Sequence, residues 1–104
     1  MGLAQGTTPY VMVTVEGYDL TDANAIKVTF KTDNFQLDLD ESRVTVTSNA
    51  SESLLVVHLT QEETLAMTPV QALFQVRWRD ANDESHITKV TRIDVASALY
   101  KGVI

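Results

Sequence analysis

Over much of this chain apolar residues recur at every second position, a spacing that a helix cannot use and that a strand with one wet face requires. Ile26, Val28 and Phe30 alternate with Lys27, Thr29 and Lys31, and Ala72, Phe74, Val76 and Trp78 alternate with Gln71, Gln75, Arg77 and Arg79. Val11, Val13 and Val15 form a third run, closed by the turn-like composition Glu16-Gly17-Tyr18-Asp19. Phe35, Leu37 and Leu39 oppose Gln36, Asp38 and Asp40, and Thr32-Asp33-Asn34 should turn the chain so that this strand forms a hairpin with its predecessor. Val44 and Val46 mark a thin, peripheral strand. Leu54 to Leu59 is apolar on both faces, as expected of a central strand covered from both sides or of one whose second face meets the following segment. In the last run, from about His86 to Val95, the phase slips. Ile87 and Val90 fall on opposite faces while Ile93 and Val95 share one, which a bulge or a change of sheet would produce.

One segment departs from the period of two. Thr60 followed three residues later by Glu63 is a capping box, with acids in the first turn, where the helix dipole favours them, and Leu65 free to pack inward. Pro69 ends it by biasing Thr68 toward extended backbone. Together these spacings predict an all-β fold, an immunoglobulin-like antiparallel β-sandwich of about seven strands with one short helix between Thr60 and Ala66. The 104 residues suffice for one core without a metal or disulfide. Residues 1–8 are expected as a flexible leader and 9–104 as a single domain.

Composition narrows the chemistry. The absence of cysteine removes disulfides, thiolate metal sites and cysteine nucleophiles. Eight Lys and Arg against fourteen Asp and Glu give a net charge of −6, which repels phosphate backbones, and the cations are scattered along the sequence without a basic stripe. A nucleic-acid partner is therefore not expected. The longest apolar stretch, Leu54 to Val57, is far short of the ~20 residues of a membrane helix, so no membrane partner is expected either. Met1 to Pro9 has neither the basic start nor the apolar run of a signal peptide, which points to a chain that is cytoplasmic when synthesised. On that reading the glycosylation pattern Asn49-Ala50-Ser51 has no consequence.

Candidate reactive residues each have a plainer structural explanation. His58 lies inside the most apolar strand and His86 beside an acidic turn, with no Gly-x-Ser-x-Gly elbow to supply a nucleophile, so both are read as structural. The acidic groups Asp38, Asp40, Glu41 and Asp80, Asp83, Glu84 could ligate calcium if the fold places the two turns at one end, but neither matches an EF-hand loop, and acids commonly solvate turns. Tyr10, Tyr18, Trp78 and Tyr100 could form a platform for sugar. Trp78, however, is in phase with Phe74 and Val76 and reads as core, which leaves Tyr18 as the better exposed candidate. Arg77 and Arg79 share a face with Gln75 and could pair with acids on a neighbouring strand. No catalytic, cofactor-binding or metal-binding residue is assigned, and the chain is expected not to be an enzyme.

Leu59-Thr60-Gln61-Glu62-Glu63-Thr64-Leu65, followed by Val70-Gln71, Gln75-Val76-Arg77 and the ending Val103-Ile104, resembles a group of small β-sandwich proteins encoded in phages and prophages of Gram-positive bacteria. The resemblance covers roughly the second half of the chain and carries over no functional residue. It implies a phage-derived structural or accessory protein, associated with the virion or tail, acting through protein partners or self-assembly. The expected contact surfaces are the sheet edge near Arg43 to Thr47 and the apolar terminus Leu99 to Ile104. The alternative from the residues themselves is a small module binding carbohydrate or calcium.

Overall fold

A computed structural model describes residues 2–49 and 51–104; Met1 of the expected leader and Ala50 of the Asn49-Ala50-Ser51 pattern lie outside the described residues. Nine strands and one α-helix follow one another as β1 Gly2–Ala4, β2 Tyr10–Glu16, β3 Ala25–Thr32, β4 Phe35–Asp40, β5 Val44–Ser48, β6 Glu52–His58, α1 Gln61–Ala66, β7 Gln71–Arg79, β8 Ser85–Ile87 and β9 Thr91–Ala96. One sheet has the order β1-β9-β7-β3-β4, with β8 also paired to β7, and the other has the order β2-β6-β5. If β2 to β7 are lettered B, C, C′, D, E and F, and β9 is lettered G, the sheets read C′-C-F-G and B-E-D. That is the immunoglobulin-like strand order, in an all-β sandwich.

The period of two produces this packing directly. Register sets Ile26 beside Trp78, Val28 beside Val76 and Phe30 beside Phe74 on the inner face of β3 and β7. Val11, Val15, Leu55 and Val57 form the opposing buried layer on β2 and β6. Phe30 is fully buried, and its ring lies 5.0 Å from that of Phe74. At about 25 cal/mol per Å² of apolar surface, such rows carry most of the stability, while the ladders mainly keep backbone groups paired. The Asp33-Asn34 turn joins β3 to β4 as the sequence predicts, with Thr32 opposite Phe35.

Four features depart from the expectation. The supposed leader contains β1, which pairs in parallel with β9 and buries Leu3, so this sheet is mixed rather than antiparallel. Gln5 pins it further. Its amide donates to Met67 O at 2.8 Å and its oxygen accepts from Ala98 N at 3.0 Å. Three residues are too few for alternation to register, and the same is true of β8. β6 is central in its sheet but covered on one face alone, with Leu54 36% exposed. Finally, a 3₁₀ turn at Glu41–Arg43 occupies part of what reads as an ordinary turn.

The phase slip before β9 is a bulge. Arg77 pairs with Ile87 and Phe74 with Thr91, so two residues of β7 face three of the partner segment, Thr88 to Val90. Thr88 fills the gap: its N–H donates to Val76 O at 2.9 Å and its hydroxyl accepts from Val76 N at 3.0 Å.

The capping box is present as predicted, Thr60 Oγ1 accepting from Glu63 N at 3.2 Å and Glu63 Oε1 from Thr60 N at 2.8 Å. Glu63 also receives both Arg43 guanidinium nitrogens, at 2.8 and 3.0 Å, which ties α1 to the start of β5. Burial pushes the Glu63 carboxyl up, but the Arg43 and Thr60 donors outweigh it and hold it below the ordinary glutamate range.

Candidate interaction face

The outer face of the larger sheet gathers charge that the sequence scatters. In the β3–β7 register, odd-numbered residues of both strands point outward, so Lys27 sits beside Arg77, Lys31 beside Leu73, and Arg79 one pair further on. Leu73 is in turn opposite Arg92 of β9. Five of the eight cations therefore share one surface, which corrects the expectation that no basic stripe exists. Alternation assigns each cation to the wet side of its own strand, but only the strand order makes them neighbours. The shared odd parity of Lys27, Lys31, Arg77 and Arg79 was the visible signal, whereas even-numbered Arg92 joins them only through the phase slip before β9.

Few of these charges are held in short ion pairs, although Lys27 stands opposite Asp40 of β4. Arg79 reaches Asp83 at 3.4 Å in an exposed i,i+4 pair, of a kind worth about 0–1 kcal/mol. Among the described residues Lys27, Lys31, Arg77 and Arg92 form no ion pair. The acids of this face stand at its margins, Asp38 and Asp40 on edge strand β4 and Asp94 on β9. Hydrogen bonds from Thr29 and then Gln36 hold Asp38 below the usual carboxylate range. Exposed Leu73, Ile87 and Val90 lie among the cations, and a groove of about 580 Å³ runs past Lys31, Arg92 and exposed Val70. The outer face thus interleaves cations with apolar side chains.

The end of the sandwich holds the only cluster of potential metal ligands among the described residues. Asp80, Glu84 and His86 bring ligand atoms within 4.8 Å of one another. Asp38, Asp40 and Glu41 are at the same end of the sheet, but β3 separates them from this cluster. Both Asp80 oxygens are already engaged within the protein. One oxygen accepts from Asn82 N at 2.9 Å and Glu84 N at 3.0 Å, and the other from the His86 ring at 2.9 Å. These bonds, the His86 one foremost, hold the Asp80 carboxyl below its ordinary value. What they build is the β7–β8 turn, in which Asp83 takes a left-handed φ of 63° that an aspartate tolerates. A depressed carboxylate pKa contributes stability above the unfolded value near 3.9 and loses it as pH falls through the lower folded value. Asp80→Asn is thus expected to flatten the acid limb of a thermal-melting profile, with wild-type and variant converging at the acid end.

The aromatic candidates do not converge. Trp78 is 6% exposed and packs edge-on against Tyr18 at 5.2 Å, while His86 stacks on Trp78 at 5.3 Å. Tyr18 is exposed in its turn, as expected, and one edge of its ring joins this group. Tyr10 stacks on His58 at 4.0 Å on the outer face of the smaller sheet, and Tyr100 lies in the C-terminal segment. His58 is exposed, its ring 3.1 Å from Thr8 O. Arg77 faces Lys27 and Ile87 and has no acid across either neighbouring strand. The edge near Arg43 to Thr47 is the open side of β5, and the terminus carries exposed Leu99 and Ile104, with Ile104 tied back through both its N–H and its carbonyl to Gln61.

The strand order and this face together define an immunoglobulin-like sandwich with an exposed basic and apolar sheet surface. No protein-family model matches the chain, and no curated protein sequence matches it. Among solved structures it is similar to one titled as murine CRIg, at 10% identity over 94% of this chain and 91% of that one, with a TM-score of 0.40. No helix among the described residues is long and apolar enough to cross a membrane.

Proposed function

We propose that this chain is a non-enzymatic structural or accessory protein of phage or prophage origin, associated with the virion or tail and acting through protein–protein contacts. The observation that carries the reading is the outer face of β3, β7 and β9, where Lys31 and Arg92 flank exposed Leu73, Lys27 and Arg77 lie further along the same strands, and none of the four forms an ion pair among the described residues. An acidic partner surface would complement it, and the Leu-Thr-Gln-Glu-Glu-Thr-Leu resemblance supplies the setting. Two measurements test this. Genes flanking the coding sequence are expected to specify capsid, tail or lysis components, and the chain is expected to co-sediment with particles released on induction. Substituting Lys31→Glu and Arg77→Glu together should abolish that co-sedimentation without lowering the melting temperature. Metabolic neighbours and particles devoid of the chain would sink the proposal.

A second reading, a small module that binds calcium, has only the Asp80 and Glu84 carboxylates of the Asp80, Glu84 and His86 cluster as oxygen ligands. A ligand specific for the native state must raise the melting temperature by mass action. With both Asp80 oxygens engaged in the turn, millimolar calcium is expected to leave it unchanged, and a concentration-dependent rise would restore that reading.

A further inference from the structure

We infer that β2 is a self-complementary edge through which two copies of this chain pair, antiparallel, into one continuous six-stranded sheet. The inference takes only its setting from the proposed assembly role; its geometry concerns the other sheet and is independent of the basic face.

The backbone register identifies the free groups. Leu59 N donates to Pro9 O and Gly17 N to Ser51 O, and β2 pairs with β6 in the same register, Val11 opposite Val57 and Val13 opposite Leu55. Hydrogen-bonded pairs alternate in an antiparallel ladder, so Val11, Val13 and Val15 direct their backbone groups to β6. Tyr10, Met12, Thr14 and Glu16 direct theirs away from it. β2 is terminal in the order β2-β6-β5, and among the described residues these four N–H and C=O groups have no partner.

The usual protections of an edge are absent. From Tyr10 to Val15 there is no charge, proline, glycine or bulge, and every residue but Met12 is β-branched or aromatic. The other long edges differ: β4 carries Asp38 and Asp40, and β5 is shorter and begins at the Arg43–Glu63 pair. The solvent face beside the β2 edge is apolar too, with Tyr10 60% and Met12 55% exposed next to Leu54 of β6.

A second copy fits this edge in one register. With Val13 opposite its own copy on a two-fold axis, Met12 meets Thr14 and Tyr10 meets Glu16. Each of these is a hydrogen-bonding pair, so every outward N–H and C=O of both strands is satisfied. The antiparallel sense sets the Glu16 and Glu52 end of one copy against the Tyr10 and His58 end of the other, whereas parallel pairing would stack Glu16 on Glu16. The contact is isologous and closes at two copies.

The test is sedimentation velocity on the whole chain from micromolar to submillimolar concentration, combined with amide exchange. The expected result is a reversible dimer that strengthens with salt, because each copy carries a net charge of −6. Binding through the basic face should weaken with salt, so the two ideas fail separately. Amides of Tyr10, Met12, Thr14 and Glu16 should gain protection as concentration rises, while those of Val11, Val13 and Val15 are protected throughout. Met12→Lys charges the edge and Thr14→Pro removes an outward N–H that β6 does not use; each should weaken the dimer roughly tenfold or more. Either variant alone suffices if the other fails to fold. Arg77→Glu, on the other sheet, should leave the dimer intact. A monomer at every concentration with those four amides exchanging freely overturns the inference, as does a dimer that survives a folded edge variant or dissociates with Arg77→Glu. Protection that appears only when a synthetic Tyr10–Glu16 peptide is added assigns the edge to a donated strand and overturns self-pairing.

Discussion

Phe30→Ala is expected to lower stability by about 4 kcal/mol and the melting temperature by roughly 20 °C. The ring is fully buried between the sheets, tilted against Phe74 and backed by Leu37 on the adjacent strand. Its removal leaves a cavity at the centre of the inner rows, where strands held by ladders on both sides cannot collapse to fill it. Ile87→Ala, which removes an exposed residue on the outer face, should change stability by less than about 0.5 kcal/mol. Thermal unfolding followed by far-ultraviolet circular dichroism separates the two. Comparable losses in both would mean that the inner rows are not the core.

Glu63→Ala is expected to cost about 2 kcal/mol, because one carboxylate serves two connections. Removing it opens the capping box, worth about 1 kcal/mol, and strands the Arg43 guanidinium, which also donates to His58 O at 3.0 Å. Arg43 is about one-third exposed, so solvent tempers the second loss. Glu63→Gln keeps an acceptor for Thr60 N–H and should cost about half as much. The pH dependence has a definite sign. Since the folded carboxyl titrates below the ordinary glutamate value of ~4.3, its contribution is complete above that value and disappears as pH falls through the folded one. The stability gap between wild-type and Glu63→Gln should therefore be full at neutral pH and close in acid. A gap that stays constant into acid would show that Glu63 acts by packing alone.

Much of the fold is legible in the sequence because the period of two is a property of single strands. β2, β3, β4 and β7 follow from alternation, α1 from Thr60 and Glu63, and the β7–β8 turn from Asp80 to Glu84. What alternation cannot carry is adjacency. Lys27 and Arg77 are fifty residues apart and become neighbours through pairing that no local pattern encodes. β1 escapes notice for a different reason: with Leu3 as its one buried residue, three positions offer a single inward contact and no rhythm. The two-sided greasiness of Leu54 to Val57 misleads, since Leu54 faces water in the isolated chain. The Asp80–His86 contact depends on a hairpin that folds six residues back on themselves, and only the acidic half of it can be read from composition.

The extra residue between Thr88 and Val90 works as a frame setter. Ahead of it the odd positions Ser85 and Ile87 look outward; behind it the odd positions Ile93 and Val95 look in, and Arg92 looks out. Shortening that stretch by one residue would rotate the whole of β9 by half a turn, presenting Ile93 and Val95 to water and driving Arg92 between the sheets. Length there is thus as tightly determined as identity is in the core, although every side chain involved lies at or near the surface.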